Sequence, residues 1–94
     1  MSSLDKIVEI ERSVNIYRLS NDELVEEIII HLPLDTLKEI VPYKEEDPSL
    51  YEPYLLTMEQ LTKINELLGQ KIIPDFNQFF YVLEAAGIYD WSAN

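Results

Sequence analysis

Residues 6–19 (KIVEIERSVNIYRL) are rich in β-branched side chains, and apolar and polar positions alternate through Ile10, Arg12, Val14 and Ile16. A period of two is the pattern of a strand, because successive side chains point to opposite faces. The phase is not uniform. Val8 and Ile10 share a face with Arg12 and Arg18, while Tyr17 and Leu19 point the other way. A bulge near Arg12 and Ser13 is expected to reconcile the two halves. Ser20-Asn21-Asp22 supplies turn chemistry, since Asn and Asp bond back to nearby backbone. Residues 23–32 (ELVEEIIIHL) then read as a second strand, closing an antiparallel hairpin. A helix is the alternative there, but three consecutive isoleucines are stiff at χ1 and favour a strand.

Pro33 ends this run, and Asp35 is placed to cap a short helix through Val41 that Pro42 stops. Thr57 and Gln60 have the spacing of a capping box, opening a helix to Leu68. Leu61, Ile64, Leu67 and Leu68 form its expected buried stripe, and Gly69 its C-terminal cap. Asp75 and Gln78 repeat the capping-box spacing. Phe76, Phe79, Phe80, Leu83 and Ala86 follow at helical intervals, predicting a last helix ended by Gly87. Ile88-Tyr89-Asp90-Trp91 is a candidate short extended piece, with Trp91 either an exposed anchor or the residue that docks the tail. The expected fold is α+β: an N-terminal antiparallel β-hairpin or small sheet, then two to three α-helices packed on one face. All of it lies in one domain spanning residues 1–94.

Composition changes the picture mainly through charge. An apolar fraction of 47% suits a folded chain. The lack of cysteine excludes disulfides, thiolate metal sites and cysteine nucleophiles. Ile28-Ile29-Ile30 is far too short to span a bilayer, and residues 1–10 carry Asp5 and Glu9 with no apolar run of signal-peptide length. A cytoplasmic protein is therefore expected. Eighteen Asp and Glu against seven Lys and Arg give a net charge of −11. Such a field repels nucleic acid and anionic membranes and attracts basic proteins. Solubility alone is the competing explanation.

Catalytic signatures are absent from the sequence. His31 is the only histidine, and no pattern around it suggests a relay or a zinc site. Glu45-Glu46-Asp47 lacks both the alternate spacing and the glycine of a calcium loop. The two glycines cannot build a phosphate-cradling loop, and the basic residues are scattered singly among acids. No catalytic residue, cofactor or metal is expected.

Surface suited to proteins remains. Residues 42–54 (PYKEEDPSLYEPY) form a connector stiffened by three prolines. Tyr43, Tyr51 and Tyr54 offer contact area at low entropic cost, and Glu45, Glu46, Asp47 and Glu52 can pair with Lys or Arg. These seven are the candidate partner-binding residues. The competing reading is that the tyrosines pack down on the helices while the acids solvate the loop.

The segments LSNDELVEEI, LPLDTLKEIV, the acidic connector ending in YEPY, and LTMEQLTKINELL follow one another within residues 16–86. In order and acidic character they resemble small bacterial proteins encoded beside polymorphic toxins, including immunity proteins of contact-dependent growth inhibition systems. The resemblance implies an inhibitor without catalysis that binds a cognate toxin domain, a basic nuclease in the expected case. It would cover the toxin's active site or substrate-binding surface. A monomer that forms a 1:1 heterodimer is expected, with neither nucleic acid nor membrane as partner. The alternatives are an acidic adaptor, an enzyme using carboxylates alone, and a subunit of a homo-oligomer.

Overall fold

The computed structural model of the chain describes residues 7–89. The first strand signal is realised as β1 (Ile7–Arg18) and the second as β2 (Leu24–Ile30), paired antiparallel. Their turn is closed by Arg18 N–H donating to Glu23 O at 2.9 Å and Asp22 N–H to Arg18 O at 2.8 Å. Asp22 takes a φ of 58° there, a conformation that Asp tolerates better than most residues. The bulge expected near Arg12 and Ser13 is not found at that place. Both residues pair in register with β2 and with a later strand, and the register shifts fall at Ile7/Glu9 and Ile16/Tyr17. Arg12 needs no break, because its Nη2 donates to the Ser49 carbonyl at 2.5 Å.

The helix expected after Asp75 is instead a strand, β4 (Phe79–Tyr89), and this overturns the predicted order of a hairpin followed by helices. The spacing of Phe76, Phe79, Phe80 and Leu83 fits a helix. Yet Phe79, Tyr81, Leu83 and Ala85 also alternate strictly with Phe80, Val82, Glu84 and Ala86. Aromatic and β-branched side chains favour that second reading once a partner strand is available. Asp75 is a turn residue: its side chain accepts from Asn77 N–H at 3.1 Å and Gln78 Nε2 at 2.9 Å, and its carbonyl accepts from Phe79 N–H at 3.0 Å. Gly87 lies within the strand, opposite Ile10, and ends no helix. With β3 (Tyr54–Leu55), the result is a four-stranded antiparallel sheet in the order β2-β1-β4-β3.

Two short helices complete the fold. The first, α1 (Leu34–Ile40), begins at Pro33 with no side-chain cap, so Asp35 sits within its first turn. There its carboxylate is favoured by the helix dipole instead of bonding a free N–H. The second, α2 (Met58–Leu67), has the predicted capping box: Gln60 N–H donates to Thr57 Oγ1 at 3.1 Å, and Thr57 N–H to Gln60 Oε1 at 3.0 Å. Gly69 follows with φ 79°, the left-handed conformation that glycine adopts most easily. Leu61 and Ile64 are buried as expected, whereas Leu67 is 53% exposed. Asn65 is buried and clamps the chain leaving the helix, donating to Ile72 O at 2.7 Å and accepting from Ile72 N–H at 2.8 Å.

One face of the sheet carries the core. Val14, Ile16, Ile30, Tyr81, Leu83 and Tyr54 meet Leu37 and Val41 of the α1 segment, Leu61 and Ile64 of α2, and the loop residues Leu50, Leu56 and Ile72. The opposite face supplies none of these residues. Leu83→Ala should cost about 2–5 kcal/mol, the range for emptying a well-packed aliphatic site. Thr57→Ala should cost about 1 kcal/mol through the lost cap. Urea unfolding of both variants measures the two losses.

Candidate protein-binding site

The connector between α1 and β3 is organised by Asp47. Its carboxylate accepts from Tyr51 N–H at 2.9 Å, Glu52 N–H at 3.0 Å and the Tyr54 hydroxyl at 2.7 Å. These bonds favour the ionised form and hold its pKa below the ordinary carboxylate value; the Tyr54 hydroxyl is the largest cause, and burial opposes it. Tyr54 is raised in turn, by its burial and by the bond to Asp47. Between them Leu50, fully buried, is held at φ 52°, where a side chain beyond glycine is strained. The carboxylate that ties down the next two N–H groups holds it there.

The seven expected partner-binding residues therefore divide. Asp47, at 6% exposure, and Tyr54 turn inward and serve the connector itself. Their bonding needs are met at home, which removes them from a free surface. Glu52 is half-buried and pairs with Lys44 at 3.1 Å. Tyr43, Glu45, Glu46 and Tyr51 face outward, with Lys38 5.1 Å above the Tyr43 ring.

A second surface escaped the sequence reading. On the sheet face away from the core, Tyr17 stacks on Phe80, its register partner on β4, with ring centroids 5.2 Å apart. The Tyr17 hydroxyl donates to Glu84 Oε2. This bond, burial, and the charges of Glu84 and Glu27 raise the phenol's pKa, against an opposing effect of the Asn15 amide. Leu24 on β2 and Leu55 on β3 are 46% and 68% exposed at its two margins. Nothing local in the sequence announces this cluster, because Tyr17 and Glu84 are 67 residues apart.

Residues 11–84, from within β1 to within β4, match the family described as Domain of unknown function (DUF7683). The chain belongs to that family. No curated protein and no solved structure matches it. In this DUF7683 chain the matched span takes in the connector and both stacked aromatics, Tyr17 and Phe80. His31 is exposed just beyond β2, beside a hollow lined by Glu9, Glu11 and Arg12. Among the described residues no three His, Asp or Glu side chains lie close enough to hold a metal ion, and no helix is long and apolar enough to cross a membrane. Trp91 lies outside the described residues.

Asp47→Asn tests the connector of the DUF7683 protein. The folded state holds this carboxyl below its ordinary value, so its charge adds stability that is complete above about pH 4 and lost as pH falls through the lowered value. The variant should unfold at lower urea than the native chain at pH 7. The gap between the two midpoints should close as pH drops below about 4.

Proposed function

We propose that this protein is a non-catalytic inhibitor that captures a basic protein partner, acting as the immunity protein of a nuclease toxin domain. The observation that supports it is the asymmetry of exposed charge. Glu23, Glu26, Glu27, Glu45, Glu46 and Glu66 are all exposed. The cations are largely occupied: Arg12 bonds inward to Ser49, Lys38 sits over Tyr43, Lys44 pairs with Glu52, and Lys63 lies 3.8 Å from Glu59. Little positive potential is left to offset the net charge of −11.

A nuclease must carry cationic surface to hold a phosphate backbone. An acidic protein steered onto that surface occupies the place of the nucleic acid. The exposed carboxylates of the connector add to that steering field, and the order of segments that resembles immunity proteins points the same way. The proposed site of action is the cytoplasm of the producing cell, where a delivered toxin domain would arrive. Long-range charge would set the rate of capture, while buried anchors would set the residence time.

The proposal requires a toxin domain encoded beside the gene; co-expression with that domain should restore growth, and the two chains should co-purify as a 1:1 complex. Failure of both would reject the proposal, and co-purification without rescue would mark an adaptor. Association should slow at least tenfold as salt rises from about 0.05 to 0.5 M. At low salt, Glu45→Lys with Glu46→Lys should slow capture while leaving the urea midpoint unchanged. Asp47 is left intact in that variant because the connector's fold depends on it.

A further inference from the structure

We propose that the sheet face opposite the core is where the partner docks, and that it takes a protein segment presenting an arginine or lysine flanked by apolar side chains. The apolar part would lie over Tyr17 and Phe80, with the cationic head between Glu27 and Glu84. The inference rests on the reading above that the partner is basic, and adds where on this chain it binds.

The face is built for contact with something. Its centre is the Tyr17–Phe80 stack, with both rings half-buried. Leu24, Leu55 and Ile29 lie on the same face with substantial exposure. Aromatic and aliphatic groups at the centre of a patch, with charge among them, form the usual anatomy of an interface. Every charged side chain described on this face is an acid. Glu11, Glu27 and Glu84 project from it, while Arg12 and Arg18 alternate to the other side.

Asn15 supplies an independent sign. It is 5% exposed, lies opposite Glu27 on one side and Val82 on the other, and its Oδ1 is buried with no hydrogen-bond partner among the described residues. A buried acceptor left unpaired is costly, and native structures hold few of them. Its amide is near enough to the Tyr17 phenol to influence that group's pKa, so it belongs to the same cluster. A guanidinium or ammonium group is donor only and carries the charge that two carboxylates favour.

A second copy of this chain is a poor occupant. Two such faces would bring Glu11, Glu27 and Glu84 against their own kind, on molecules already carrying −11 each. A cationic segment meets no such repulsion.

The test is chemical-shift mapping on the full-length ¹⁵N-labelled protein at 0.15 M salt, with the capped peptide Leu-Arg-Val-Arg-Leu as probe and Leu-Glu-Val-Glu-Leu as control. Saturable shifts should centre on residues 13–17, Glu27 and residues 80–84, with none from the control. Glu27→Lys and Glu46→Lys change net charge equally. The first should weaken peptide binding at least tenfold, and the second less than twofold, since a connector charge is screened over about 8 Å at this salt. Glu27 is exposed on an edge strand, so its substitution spares the core. Shifts centred on the connector, equal weakening by the two variants, or no saturable shift would overturn the proposal. So would a dimer dispersed by Glu27→Lys, or movement of the same resonances in Trp91→Ala without peptide, which would assign the face to a second copy or to the chain's own tail. Growth rescue by Glu27→Lys at native strength would remove this face alone; peptide binding as predicted without any rescue would remove the toxin alone.

Discussion

Between β1 and β4 an antiparallel ladder runs from Ile7 opposite Tyr89 to Arg18 opposite Phe79, joining the first described strand to the last. Each of these strands is flanked on its other edge, β1 by β2 and β4 by the two residues of β3. The ladder sets which side chains share a face. It brings Val14, Ile16, Tyr81 and Leu83 together under the helices, and by the same alternation sends Tyr17, Phe80 and Glu84 to the opposite side. Core and candidate binding face are thus two consequences of one register, since a slip of a single residue would exchange them.

Local chemistry was legible where it was self-contained. Thr57, Gln60 and Gly69 define α2 from the sequence because a cap needs only residues within its own turn. The first hairpin was legible for the same reason, with its turn residues lying between two β-rich runs. The C-terminal segment was not, because Phe76 to Ala86 satisfies two periods and only pairing with β1 decides between them. Asp75 misled for a physical reason as well: a carboxylate that bonds the next N–H groups serves a turn as readily as a helix start.

The candidate site divides along the same line. Charge was readable from composition, and the outward residues Tyr43, Glu45, Glu46 and Tyr51 of the connector were found by it. That Asp47 and Tyr54 turn inward could not be read, because a buried acid looks no different in sequence from a solvated one. The open face was invisible, being assembled from strands at opposite ends of the chain. Acidic character reflects the whole surface, whereas recognition depends on which few groups the register places side by side.

Joining the first strand to the last also constrains how the protein is made. During synthesis the N-terminal hairpin emerges long before β4, and until then β1 lacks its longest neighbour and much of the hydrophobic core is missing. Pairings this distant in sequence form slowly, because the intervening loop must close before any contact rewards it. The nascent chain therefore reaches this arrangement only once β4 has emerged. A chain cut short before β4 would lack the longest partner of β1 and, with Tyr81 and Leu83, part of the core.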